Sequence, residues 1–161
     1  MKNPILRNGI YSMLVILIVF TLIQVIWGFT LPYRTSEMIG YLTILISLTF
    51  VFFGIRAYRD EQNGGEITFG KALQVGLLIT LFPSLAFALF TIVQFLLQGD
   101  EMMEYYKQNM PAAEQEQWGE NLEMLQNPIF QGFIMFLTVF MIGFIITIIS
   151  AMVLKRQLAK A

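Results

Sequence analysis

Neither cysteine nor histidine occurs anywhere in this sequence. The first absence excludes disulfides, thiolate nucleophiles and cysteine-held metal or iron–sulfur centres. The second removes the commonest metal ligand and the commonest general base near neutral pH. Catalysis here would have to run on carboxylates, Lys, Tyr or Ser. Charge is scarce as well. Only 13% of the 161 residues are charged, against about 25% in soluble domains. Basic runs interleaved with aromatic residues are lacking, so nucleic acid is not expected as a partner. Gly64-Gly65 is not followed by the Lys-Ser/Thr of a phosphate-cradling loop, which leaves it as a turn. The acidic residues follow no EF-hand spacing. No pattern in the chain implies a metal or a cofactor.

What the chain has in abundance is apolar sequence, 57% of its residues. Four stretches approach or exceed the roughly 20 helical residues that cross about 30 Å of hydrocarbon. They cover about 9–29, 39–55, 72–97 and 129–154, and none contains a charge inside the span. In lipid only helices or closed barrels satisfy every backbone group. The runs lack strict apolar–polar alternation, so the expectation is an all-α, four-transmembrane-helix bundle forming a single integral membrane domain over 1–161. Lys2 and Arg7 precede the first stretch in the manner of a signal peptide. Its apolar core is too long for one, however, and Trp27-Gly28-Phe29 is a poor cleavage site, so a retained helix is expected.

Basic residues set the expected orientation. Lys2, Arg7, Arg56, Arg59, Lys71, Lys155, Arg156 and Lys160 fall on one side of the four spans, and only Arg34 and Lys107 on the other. Eight against two predicts both termini and the second loop in the cytoplasm. Acidic residues fall the opposite way, with Glu37, Asp100, Glu101, Glu104, Glu114, Glu116, Glu120 and Glu123 outside. Trp27, Phe29, Tyr33 and Tyr41 around the short first loop read as an aromatic belt at the headgroup level. Thr68 is placed to cap the third helix. The outer loop, about 98–127, is predicted to hold short amphipathic helices. One starts near Asp100-Glu101; another runs from Pro111 to about Gln126, where Asn127-Pro128 stops it, with Trp118, Leu122 and Leu125 on one stripe.

Ionisable residues inside a span are the usual sign of an ion or proton path, and these spans have none. The polar candidates that remain are Gln24, Gln74, Gln94 and Gln131. Gln24 and Gln94 are expected near the outer side, where the favoured reading is that each amide pairs with a neighbouring helix and holds the bundle; the alternative is that the two meet or line a small polar pocket. Gly76, Thr80, Ser84 and Ala88 recur at every fourth position in the third span, and Gly143, Thr147 and Ala151 do so in the fourth. Small residues on one stripe let backbones approach, either within one subunit or across a homo-oligomer. Pro83 interrupts the first of these stripes and is expected to kink the helix. Arg56, Arg59, Lys71, Lys155 and Arg156 should sit at the inner headgroups, as topology-setting charges or as contacts to anionic lipid.

Gly54-Ile55-Arg56-Ala57-Tyr58-Arg59-Asp60, then Gly64-Gly65-Glu66-Ile67-Thr68-Phe69-Gly70-Lys71-Ala72 with Gly76, form one recognisable pattern. A second runs from Gly143 to Ala151 and into Lys155-Arg156. Through these the chain resembles the DUF4199 family of four-span membrane proteins, found mainly in Bacteroidetes. That resemblance implies an inner-membrane setting in a Gram-negative bacterium and supplies no catalytic residues. The sequence therefore leads to a non-enzymatic structural or accessory subunit, with membrane lipids, another membrane protein or a second copy as partners. The alternatives are a small transporter or channel component, and a lipid-modifying enzyme using outer-loop carboxylates such as Glu114, Glu120 and Glu123.

Overall fold

The computed structural model describes residues 3–109, 111–112, 124 and 126–155. Trp118, Leu122, Leu125, the glutamates at 114, 116, 120 and 123, and Arg156 lie outside the described residues, as does the helix expected beyond Pro111. Among the described residues the long elements are four helices: α1 (Pro4–Trp27), α2 (Tyr33–Gln62), α3 (Phe69–Asn109) and α4 (Pro128–Leu154). All four are long and apolar enough to cross a membrane.

Each helix is longer than the apolar stretch that announces it. Hydropathy marks the part in lipid, whereas the backbone stays helical until a residue stops it. α1 and α4 begin with the same device, Asn-Pro-Ile. The Asn3 side chain accepts from the Ile5 amide at 2.9 Å. The Asn127 side chain accepts from Ile129 at 2.9 Å and Phe130 at 3.2 Å. Proline then occupies the first turn, where its missing N–H costs nothing. Asn127-Pro128 is thus the start of a helix. Thr68 caps α3, accepting from Lys71 N at 3.3 Å.

The link from α2 to α3 turns at Gly64 (φ 64°) and Gly65 (φ 84°) and is pinned by Ile67, which is fully buried. Both glycines occupy the left-handed region that side chains disfavour. Neither would meet a neighbouring atom through a new Cβ, so backbone strain alone decides the outcome of a substitution. Gly65→Ala should cost about 1 kcal/mol, read as a lowered midpoint of thermal unfolding in detergent; an unchanged midpoint would contradict the turn.

α3 packs against α1, α2 and α4, and α2 likewise touches all the others. α1 and α4 flank this central pair, and their outer faces carry Leu14, Ile18, Leu22, Phe133, Met141, Ile145 and Ile149 as exposed apolar side chains suited to lipid. The bundle has two chemically different ends. At the basic end, Arg7 on α1 pairs with Glu61 on α2 at 2.7 Å. Arg59 pairs with Asp60 and donates to the Leu154 carbonyl at the end of α4. The acidic end holds the α1–α2 turn, the far part of α3 and the start of α4.

Two close helix contacts fill the half nearer the basic end. Ser12 on α1 and Ser47 on α2 exchange hydrogen bonds, each hydroxyl donating to the other's backbone carbonyl at 2.8 Å. Gly76 and Thr80 on α3 face Thr147 and Gly143 on α4, each glycine opposite a threonine. Ile16, Leu48, Val51, Ile55, Val75 and Ile79 are fully buried around these contacts. The core there is packed, its aliphatic side chains interleaved with buried hydroxyls such as Ser12, Ser47, Thr80 and Thr147.

Backbone dihedrals stay helical at Pro83. The break in α3 falls at Gln98 (φ −138°, ψ 25°). Pro83 is buried within the bundle, where neighbouring helices make a proline tolerable despite its missing amide. Beyond Gln98 the helix resumes as a leg, 99–109. Asp100-Glu101 therefore opens the second part of α3.

Candidate functional site

The half of the bundle nearer the acidic end is not filled. All four helices contribute to a cavity of about 300 Å³ there. That volume lies at the low end of the roughly 300–1,000 Å³ of small-molecule sites. Its apolar floor comes from Phe20 on α1, Ile44 on α2, Phe87 and Phe90 on α3, and Met135 on α4. Phe20 packs on Phe87 with ring centroids 4.4 Å apart, and Phe87 and Phe90 are stacked. The polar wall comes from Gln24, Thr91, Gln94, Gln131 and Thr138.

Gln24 and Gln94 both line the cavity and are hydrogen-bonded to each other: Gln94 Nε2 donates to Gln24 Oε1 at 2.8 Å. Gln24 Nε2 in turn donates to Gln98 Oε1 at 2.9 Å. The middle amide thus ties α1 to α3 one turn before the break and at the break itself. Gln98 escaped sequence reading because it stands at the edge of the apolar run, where it looks like the first loop residue. Its spacing from Gln94, one helical turn, was the available signal. Thr91 and Thr138 donate to carbonyls of their own helices, Phe87 and Ile134, at 2.9 Å each. Each hydroxyl oxygen keeps lone pairs for a guest.

The mouth is aromatic. Phe29, Tyr33, Tyr41, Tyr105 and Tyr106 line it, with Ser36 and Glu37. Tyr105 sits between Phe29 and Tyr106, its ring centroid 5.7 Å from each. Its hydroxyl donates to the Leu31 carbonyl at 3.0 Å, tying the leg to the α1–α2 turn. Tyr105 lies beyond the apolar stretch of α3. Burial raises the pKa of its phenol, a hydrogen bond with Ser36 opposes this, and the Glu37 charge raises it further. The net upward shift keeps it a neutral donor. Met102 and Tyr106 reach the cavity from the same leg.

The other residues singled out from sequence lie elsewhere. Gly76, Thr80, Ser84, Gly143, Thr147 and Ala151 are buried, and Ala88 is half-buried with its carbonyl beside Gly132. Gln74 is at the basic end, accepting from Lys71 Nζ at 3.2 Å. Lys71 also sits over the Tyr58 ring at 5.6 Å. Arg56 and Lys155 are exposed, while Arg59 is half-buried and engaged with Asp60 and Leu154.

Four helices long and apolar enough to cross a membrane mark a multi-pass integral membrane protein. The chain belongs to the DUF4199 family, proteins of unknown function, whose family model matches residues 7–156. The resemblance carried by the Gly54–Gly76 and Gly143–Arg156 segments is borne out by that match. No curated protein and no solved structure matches the chain.

Proposed function

We propose that this protein is a non-enzymatic accessory subunit of a bacterial inner membrane, and that it works by holding a small amphiphilic molecule in the cavity at its acidic end. Both termini and the α2–α3 turn face the cytoplasm in this reading, which puts the cavity in the outer half of the bilayer. The observation that carries it is the division of the bundle. A cavity with an apolar floor and an amide wall occupies one half, while Leu48, Val51, Ile55 and Ile79 fill the other without exposed surface. A site open at one end suits holding better than conducting. The basic residues gathered at the closed end support the orientation.

A second reading, a small transporter component, draws on the break at Gln98 beside the cavity. Flux of small solutes through liposomes containing the purified protein would favour it over the first. The accessory role is tested by what co-purifies from native membranes in mild detergent; a strictly solitary chain would count against it. Reporter fusions test the orientation. A periplasm-dependent reporter inserted in the 113–123 segment should be active, and one fused after Ala161 inactive. The reverse pattern would overturn the charge reading and move the cavity to the inner leaflet.

A further inference from the structure

The cavity has one-sided charge. Glu37 is the sole Asp, Glu, Lys or Arg among the residues that line it. Its carboxylate is exposed at the mouth, and it takes part in no ion pair among the described residues. Around it the rings of Phe29, Tyr33, Tyr105 and Tyr106 form a continuous wall, with centroid separations of 5.7 to 6.5 Å. Aromatic faces carry partial negative charge and attract organic cations, most strongly when water is excluded. Asp100, Glu101 and Glu104 on the adjoining leg outnumber Lys107 there and Arg34 at the start of α2, and add a negative field that concentrates cations at this end. Below the mouth the floor is apolar.

We propose that the cavity binds an organic ammonium amphiphile, its cationic head at the mouth between Glu37 and the rings of Tyr33 and Tyr105, its apolar tail on Phe20, Phe87 and Phe90. The proposal rests on the reading of the cavity as a ligand site and adds the ligand's charge and polarity. An anionic head would lie against the Glu37 carboxylate with no lining cation to offset it. A neutral head would cover Glu37 and leave it without a counter-charge, which is costly once water is removed. The ammonium satisfies both the carboxylate and the ring faces. Two sources supply this chemistry, the head of an aminolipid in the surrounding bilayer or a free amphiphilic amine arriving from solution.

Titration in dodecyl maltoside, followed by intrinsic tyrosine and tryptophan fluorescence, compares hexyltrimethylammonium with hexanol and hexanoate. The ammonium should bind saturably and at least about tenfold more tightly than either, as expected of a partly desolvated cation–π site. Glu37→Gln should remove most of that preference, bringing the affinity for the ammonium close to that for hexanol. Glu37 is exposed, so this variant keeps the fold. Equal affinity for the three probes, or an unaltered preference in Glu37→Gln, overturns the proposal while leaving a ligand cavity intact. Gly40 also lines the cavity, and a Cβ there meets only Phe20 at 3.7 Å. Gly40→Leu should fill the space and abolish binding of all probes. If no probe binds wild type or Gly40→Leu, the cavity reading falls together with the proposal. Native mass spectrometry after extraction from mixed phosphatidylethanolamine and phosphatidylglycerol vesicles separates the sources. Retained phosphatidylethanolamine, lost in Glu37→Gln, supports the aminolipid. Binding of hexyltrimethylammonium without any retained lipid supports the free amine. Phosphatidylglycerol retained equally by wild type and Glu37→Gln counts against a cationic ligand.

Discussion

Replacing Gly143 by Ala should destabilise the bundle by about 1–3 kcal/mol, the usual cost of over-filling a packed core. Ala is the better helix former by about 1 kcal/mol, so an ordinary glycine in a helix would respond in the opposite direction. The sign reverses because a Cβ at Gly143 would run into the Thr80 side chain and approach Leu48 at 3.1 Å. Both neighbours are fully buried and have nowhere to go. The clash is with the methyl group of Thr80, while its hydroxyl donates to the Gly76 carbonyl at 3.0 Å. Thr80→Ser removes that methyl and keeps the hydroxyl. The double variant Gly143→Ala/Thr80→Ser moves one methyl across the interface at constant volume and should recover most of the lost stability. The mirror pair differs in degree: Gly76→Ala should destabilise, and Thr147→Ser should rescue it only in part, because the new Cβ also meets the buried Ile55 Cδ1 at 2.9 Å. The four residues share one contact, so their effects will not add. Unfolding in detergent micelles, by heat or denaturant, reads all of them. A neutral Gly143→Ala, or a double variant no better than the single, would mean that the α3–α4 contact is looser than described.

This contact shows how far the sequence could be read. The four-residue spacing of Gly76, Thr80, Gly143 and Thr147 is plain in the chain, and the small residues point to close approach. Which partner each stripe meets is a property of the folded bundle, because a stripe suits a neighbouring helix and a second copy equally well. The spans themselves were legible because lipid imposes length and apolarity on them. Helix ends were less so. Asn-Pro is a stop for the helix before it and a cap for the helix after it, and at Asn127 the second role gave the element its start. Ser12 and Ser47 went unremarked because a lone serine in an apolar run carries no period; only the crossing of α1 and α2 brings them together. The cavity was half visible. Gln24 and Gln94 stood out as amides among apolar residues. Glu37 read only as one acid of the outer side, and Tyr105 and Tyr106 carried no signal of their own; the leg of α3 brings them to the α1–α2 turn.

That leg is where the amide chain has its largest consequence. Gln24→Leu should lower stability by roughly 1–3 kcal/mol, more than either Gln94→Leu or Gln98→Leu. The middle residue holds two hydrogen bonds, and its loss strands both outer amides. Bonds between membrane helices average about 0.6 kcal/mol each, and a polar group left unpaired adds a penalty of about 1–3 kcal/mol. Each end variant breaks one bond and leaves the other in place. Stability is the smaller part of the effect. Gln98 is the one residue of α3 with non-helical dihedrals, so the backbone there lacks regular helical geometry to fix its angle, and the Gln24 amide is one of its few constraints. A second is the contact of Tyr105 with the α1–α2 turn, its hydroxyl on the Leu31 carbonyl and its ring against Phe29 and Tyr33. Removing the first should let residues 99–109 swing on the second and widen the mouth that Met102, Tyr105 and Tyr106 help to form. The natural absence of cysteine makes this measurable without background labelling. Spin labels on Thr30→Cys and Lys107→Cys, both at exposed positions, should report a narrow distance distribution in the otherwise native chain and a broadened one with Gln24→Leu. An unchanged distribution would mean that Tyr105 and the aromatic packing hold the leg by themselves, and that the amides serve the cavity wall alone.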